Sequence, residues 1–366
     1  LLFFYTPTPQ AALLSGLVGS EMCIRDSYYT MRIILCGFGV VGQSFAKLLE
    51  SRSEDLYARY GLKPRIVGVF DTSGSAIDSS GLDISKLIDV KKKYNSVKKY
   101  SDTKNSIPGT EMINDLDAEV MIETTESNYK DAEPGMTHIV NGMKRGMHVI
   151  SVNKGPLALA FPSLMEIAEY NHVLFRFSGT VGGGTPILDF AKNSLRGERI
   201  VSFDGILNGT TNYILTNMAN GMSFNDALDD AKQKGYVEAD ESLDLDGLDA
   251  AAKLVILANW IMGMKVTMPD IKRTGIRKID NSDIKRAAEK NCAIKLIASC
   301  NKELTVAPKE IATVDPLCVS GTLNAISFTS EHSGTQTIIG RGAGGIETAS
   351  SILRDLIDIR NESTKT

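Results

Sequence analysis

The chain has 366 residues, 43% of them hydrophobic and 23% charged, and a formal net charge of −4 at pH 7, which fits about two globular domains and excludes a basic nucleic-acid footprint. Five cysteines without a Cys-x-x-Cys pair and four scattered histidines argue against a disulfide scaffold or a zinc site and fit a reducing cytoplasm. No apolar run reaches the ~20 residues of a membrane span, so no membrane partner is expected.

Residues 1–30 stand apart. Ala11 to Val18 is apolar, but no basic region precedes it, since the first basic residue is Arg25. Ser20 to Ser27 resembles translated sequencing-adapter DNA. Residues 1–30 are therefore read as a non-native or disordered extension, with Met31 as the start. From Met31, short β-branched apolar runs at 32–36, 65–70, 119–123 and 147–152 alternate with helical stretches. That alternation predicts a parallel, doubly wound sheet over residues 31–155.

Gly37-Phe38-Gly39-Val40-Val41-Gly42 follows the first of these strands and opens a helix. In this Rossmann-type dinucleotide fingerprint the first glycine makes a tight turn and the second lets backbone approach a pyrophosphate. The third admits close helix–strand packing, and the helix N-terminus attracts the phosphates. NAD or NADP is the expected cofactor. The next strand ends at Asp71, placed to bind a ribose 2′-hydroxyl and to favour NAD. The long gap from Gly42 to Asp71 predicts a two-part helix over 43–60. The basic run Lys91-Lys92-Lys93 reads as a solvated face.

A helix over 157–171 leads into a region of mixed character. Strand-like runs at 173–177, 199–207, 292–300, 304–314 and 334–339 interleave with helices near 186–195, 211–234 and 246–262. This predicts a second, α+β domain over 156–334 for substrate binding and dimerisation. The glycine turn Gly340 to Gly345 and an amphipathic helix from Thr348 to Ile359 predict a return of residues 335–366 to the dinucleotide domain.

Carboxylates crowd Gly235 to Lys253. Read as a calcium loop, Gly247 at the sixth position would put Lys253 at the twelfth, where a glutamate must chelate, so calcium is rejected. Asp249 and Lys253 lie four apart on one helix face. The bland reading is a surface ion pair worth ~0.3–0.5 kcal/mol. The alternative is a site for a small zwitterion, with anions for its ammonium group and a positioned acid for its reacting oxygen.

The segments Gly235 to Lys253, Gly205 to Leu215, Ser151-Val-Asn-Lys-Gly-Pro156 and Gly342-Ala-Gly-Gly345 resemble the homoserine dehydrogenase family, in that family's order and across residues 31–360. The short forms without an ACT domain are most similar in layout. The resemblance implies NAD(P)-dependent interconversion of L-aspartate 4-semialdehyde and L-homoserine in threonine and methionine biosynthesis, by a cytoplasmic homodimer joined through the second domain. It implies Lys253 as proton donor, Glu238 and Asp249 as holders of homoserine, and Asp244 as an orienting group. Lys154 would lie between cofactor and substrate, while Thr125, Gly235 and Gly344 would contact the dinucleotide. Some family members carry a glutamate where Ser178 stands and bind a monovalent cation near Val181 to Thr185, so no metal is expected here. Two other readings share the fingerprint: a two-domain oxidoreductase of another small amino or hydroxy acid, and a cofactor-sensing protein without turnover.

Overall fold

The computed structural model describes residues 29–100, 109–237 and 240–363. Residues 1–28 of the expected extension and Glu238 lie outside them. Strand β1 (Tyr29–Cys36) starts two residues before Met31, because Tyr29 and Thr30 pair with Leu62 and Lys63.

The β-branched runs of the first half form one six-stranded sheet. Its strands are β1, β2 (Leu62–Asp71), β3 (Gly74–Ile77), β4 (Val120–Glu123), β5 (His148–Ser151) and β6 (Phe175–Arg176), in the order β3-β2-β1-β4-β5-β6. All neighbours are parallel except β3, which folds back on β2 as a hairpin that the sequence pattern did not reveal. The two-part helix appears as α1 (Val40–Ser51) and α2 (Ser53–Tyr60), broken at Arg52. Four more helices connect the strands: α3 (Ile84–Tyr94), α4 (Gly109–Asp115), α5 (Gly135–Lys144) and α6 (Lys154–Tyr170).

Strand alternation divides the core between the two faces of this sheet. Ile33 and Leu35 point into one layer with Phe45 and Leu49 of α1. Ile34 and Cys36 point into the other, with Ile139 of α5 and Leu157 of α6. The sheet is thus doubly wound.

Beyond β6 the chain crosses to a second six-stranded sheet, whose strands lie in the order 334–341, 323–330, 200–206, 292–300, 304–312 and 272–273. The crossing contains α7 (Ile187–Asp189) and a π-helical turn (Phe190–Ser194) in place of the helix expected near 186–195. The second sheet comprises β7 (Ile200–Ile206), β8 (Lys272–Arg273), β9 (Cys292–Cys300), β10 (Leu304–Ala312), β11 (Leu323–Ser330) and β12 (Gly334–Arg341). It is antiparallel apart from the short β8–β10 pair. The helix expected over 211–234 is two, α8 (Gly209–Ala219) and α9 (Phe224–Gln233). Gly221 at φ +102° breaks the run, and the Ser223 side chain caps the new start by accepting from Asp226 N. Then come α10 (Ser242–Leu245), α11 (Leu248–Met262) and α12 (Asn281–Glu289). Helix α11 is buried continuously from Asp249 to Asn259, so both its apolar and its charged residues face protein.

The last helix, α13 (Gly345–Ser363), packs on α1. Ala349, Ile352, Leu356 and Ile359, spaced three or four apart, enter the layer formed by Ile33, Leu35 and Phe45. A Cβ on Gly345 would stand 2.7 Å from a Val40 methyl and 2.9 Å from the Ser44 hydroxyl, so only glycine lets the two helix starts meet.

Helix α13 also carries the fully buried Asp355. One of its oxygens accepts from Ser178 N at 2.9 Å, and the other has no hydrogen-bond donor. Burial pushes this carboxyl up to about 7, against the opposing Ser178 bond, and Asp189 adds to the rise. A carboxyl raised in the folded state costs stability as pH climbs from the ordinary 3.8 toward about 7. Asp355→Asn keeps the acceptor for Ser178 and removes that cost. Its gain in Tm by calorimetry should be small near about pH 4 and grow to a plateau above about pH 7; a gain that does not change with pH contradicts this account.

Candidate active site

The cofactor cleft is built where β1 and β4 end side by side. Gly37 turns at φ +92°, with its would-be Cβ 3.0 Å from the Thr124 backbone, and a Cβ on Gly42 would meet Gly37 O at 2.5 Å. Thr124 Oγ1 donates to the carbonyls of Cys36 and Gly37 at 3.0 and 2.9 Å, fixing the loop. Gly39 has open space where its side chain would be, just ahead of the α1 N-terminus. Phe38 is buried, while Val40 stands 74% exposed at the mouth. An anion approaching Gly39 therefore meets backbone N–H groups and the positive end of α1, which suits a pyrophosphate. Gly344 and Gly345 lie across this mouth at the start of α13.

A second cluster forms where α6 begins and α11 passes. Lys253 Nζ donates to Asp249 Oδ2 at 2.7 Å and to Leu207 O at 2.6 Å. Lys154 Nζ lies 3.1 Å from Asp249 Oδ1. Asn208 Nδ2 bridges two carboxylates, Asp249 Oδ2 at 3.1 Å and Asp244 Oδ1 at 2.7 Å. Burial by itself would raise the Asp249 carboxyl. The two ammonium groups beside it, and the bonds from Lys253 and Asn208, instead hold it well below the usual carboxylate range. Lys253 is 6% exposed and Asp244 4%, so Asp249 and Lys253 are not the solvated i,i+4 pair of the bland reading.

Local sequence places each group. Asn208 caps α8 by accepting from Thr211 N at 2.8 Å, which leaves its amide nitrogen free to reach the carboxylates. Asn153 caps α6 through Gly155 N at 3.0 Å and thereby sets Lys154 in the first turn. The main chain of Lys154 is tied to Ser127 Oγ at 3.0 Å. Neither asparagine was singled out in the sequence, although each directly follows a strand and precedes a helix, the pattern of an N-cap.

The structure thus joins Lys154, Asp244, Asp249 and Lys253 in one buried network. Thr125 lies at its cofactor side, hydrogen-bonded to Glu123 and Asn153. Asp249 Oδ2 accepts from Lys253 and Asn208 and its Oδ1 faces Lys154, so this carboxylate orients both cations. Gly235 lies in the turn that ends α9, next to Tyr236, whose carbonyl accepts from Thr210 Oγ1 at 2.6 Å. Around the segment Val181 to Thr185, the Gly183 carbonyl accepts the Ser351 hydroxyl.

Asp71 requires a correction. Its Oδ2 accepts from Lys91 Nζ at 2.7 Å and Val97 N at 3.0 Å, and its Oδ1 from Ser73 N at 2.8 Å. With a side chain 6% exposed, it is an internal brace and not a free acceptor for ribose. Lys91, read as solvated, neutralises it, which removes the like-charge repulsion expected to disfavour a 2′-phosphate.

The homoserine dehydrogenase family profile matches residues 186–357, and that of glutamate/leucine/phenylalanine/valine dehydrogenase matches 18–144. A homoserine dehydrogenase of Methanocaldococcus jannaschii is 43% identical over 92% of this chain and 100% of its own. An NAD(+)-dependent homoserine dehydrogenase of Pseudomonas canavaninivorans is 35% identical over 91% of this chain and 97% of its own. A hyperthermophilic archaeal homoserine dehydrogenase solved in complex with NADPH superposes with a TM-score of 0.80 at 27% identity, covering 91% of this chain and 98% of that one.

The Asp71–Lys91 brace generates a prediction about the dinucleotide. Lys91→Met removes the countercharge of Asp71 beside the end of β2 and leaves its bonds from Ser73 and Val97. It should lower the ratio of kcat/KM for NADP over NAD by about tenfold, equivalent to ~1.4 kcal/mol. Steady-state assays with each cofactor measure this ratio, and an unchanged value would show that the brace lies outside the reach of the adenosine ribose.

Proposed function

Since the chain belongs to the homoserine dehydrogenase family, we propose that it interconverts L-aspartate 4-semialdehyde and L-homoserine with NAD or NADP, in the supply of threonine and methionine. The carrying observation is the pair of lysines held on one buried carboxylate. A bound nicotinamide supplies hydride to the aldehyde or accepts it from the alcohol. The protein's task is to place the substrate oxygen and manage its proton.

Lys253 has three N–H bonds. Two are directed to Leu207 O and Asp249, so the third serves the reacting oxygen. In the reducing direction negative charge grows on that oxygen, and an ammonium fixed in a water-poor site stabilises it and then protonates it. The oxidising direction is the microscopic reverse, in which the neutral amine with two N–H bonds takes up the hydroxyl proton. Lys154 shares Asp249 and adds a second positive charge between the cofactor cleft and the substrate. Asp244, steadied by Asn208, and Glu238 would receive the substrate ammonium. Thr125, Gly235, Gly344 and residues Gly37 to Gly42 would line the dinucleotide.

The sequence pattern draws the cofactor unit as residues 31–155 and 335–366 and the substrate unit as 156–334. In this reading the cofactor unit instead runs through β6, which pairs with β5, and regains only α13, while β7 to β12 belong to the substrate unit because β12 pairs with β11. Among the described residues no helix is long and apolar enough to cross a membrane, and a cytoplasmic enzyme fits the free cysteines. The second sheet would carry a homodimer interface. One of its faces packs on α8, α11 and α12. The other presents Asp204, Ser299 and Lys309 in one hydrogen-bonded row beside the small apolar cluster of Ile206, Ile297, Ala325 and Leu317.

Lys253→Ala should lower kcat for homoserine oxidation by ~10²–10⁴-fold while leaving cofactor affinity nearly unchanged. Asp249→Ala should raise KM and lower kcat, and the double variant should cost much less than the sum of the singles, because the pair acts as one unit. Near-parental turnover in folded Lys253→Ala protein contradicts the assignment. Light scattering at micromolar concentration should give twice the chain mass; a monomer removes the proposed interface.

A further inference from the structure

Glu123 closes β4 with no exposed surface. Its Oε1 accepts from Thr125 N at 2.7 Å and from the Thr125 hydroxyl. Its Oε2 lies 2.7 Å from Nδ1 of His138 on α5, itself only 4% exposed. The imidazole in turn stands edge-on to Phe70, with centroids 5.0 Å apart. A carboxylate this deep keeps its charge only if donors surround it. The three donors here fix its orientation.

The chain of bonds continues toward the reacting groups. Thr125 Oγ1 accepts from Asn153 Nδ2 at 3.2 Å, and the same amide donates to Glu126 O at 3.2 Å. Asn153 Oδ1 caps α6, and the next residue, Lys154, meets Asp249. We propose that His138 is a positioning residue: through Glu123 it fixes Thr125 and Asn153, and so sets both the floor of the cofactor cleft and the start of the helix that presents Lys154. The inference rests on the roles given above to Thr125 and Lys154.

Cys36 Sγ joins Glu123 and His138 in a group whose ligand atoms lie within 4.8 Å of one another, the spacing of a metal set. Burial, and then the charge of Glu123, push that thiol well above its ordinary range, and both Glu123 oxygens already accept hydrogen bonds. The group is complete as a hydrogen-bonded cluster.

The test reads cofactor binding by the fluorescence of NADH and NADPH, with no substrate present. His138→Phe keeps a ring against Phe70 and removes the donor. It should weaken Kd by roughly ten- to a hundredfold, the range for losing a hydrogen bond to a buried charge. His138→Asn, whose amide places a donor near Nδ1, should recover most of the loss. Combined with Thr125→Val, the Phe variant should cost well under the product of the two single effects, since Glu123 is bonded to both His138 and Thr125. Glu123→Gln keeps the shape without the charge and should weaken binding to a similar degree, which preserves the test if the Phe variant does not fold. An unchanged Kd in either folded variant, independent effects in the double variant, or stoichiometric zinc held by the parent and lost in His138→Phe would each overturn the inference. Because no turnover is involved, such a failure is distinct from failure of the proposed reaction, which the Lys253→Ala assay reads.

Discussion

Taking the Asp249 carboxylate out of water is tolerable only if cations reach it, and the two that do arrive from different halves of the chain. Lys253 comes from the next turn of α11, and Lys154 from the first turn of α6, which follows the first sheet. Two carboxylates, Asp249 and Asp244, share the cluster with two ammonium groups, and both lysines crowd onto Asp249. Continuum reasoning makes such a cluster poor value for stability but effective for stabilising an anion that appears only during reaction. The rest of the fold can be understood as the means of keeping these three groups in register. The continuous burial of α11 prevents it from turning, the Asn153 cap fixes where α6 begins, and Leu207 and Asn208 complete the ring from the end of β7.

The two sheets are not independent bodies sharing a linker. The core on one face of the first sheet is continuous with the core of the second: Cys36, Met121 and Leu157 belong to the same packed cluster as Phe203, Leu254 and Phe328. The opposite face of the first sheet is a separate layer closed by α1 and α13. Any relative motion of the halves must therefore shear close-packed side chains on one side while leaving the other layer intact. That asymmetry favours a small, defined closure over a loose hinge.

How much of this was legible in the sequence depends on how local each cause is. The fingerprint was readable because its three glycines answer to neighbours a few residues away and to a strand-to-helix junction that propensity marks well. The two-part helix before β2 was readable from chain length alone. Strand β11 was not, because Asn324, Ser327, Thr329 and Ser330 dilute the apolar alternation, and only its pairing with β7 and β12 makes it a strand. Asp71 was placed correctly at the end of β2 and still misjudged, since its partner Lys91 arrives from a helix twenty residues later and no pattern along the chain reveals that meeting. Lys253 and Asp249 had the spacing of an ordinary surface pair, and their chemistry came from family likeness and then from burial. Asn208 carried a local N-cap pattern, but its reach to two carboxylates, like the roles of Glu123 and His138, depends on tertiary neighbours that spacing does not reveal.

The seating of α13 on α1 also has a meaning for how the molecule is made. On a ribosome the fingerprint strand and its helix emerge well before the layer that seals their outer face, which is synthesised about three hundred residues later. At a typical ~5–20 residues per second, that helix waits tens of seconds with part of its apolar side exposed. Few contacts in a chain of this size span a larger sequence separation, and separations of this kind slow folding because loop closure precedes any reward from packing. The cofactor cleft, although its fingerprint precedes the sealing helix by about three hundred residues, is complete only once that helix has been made.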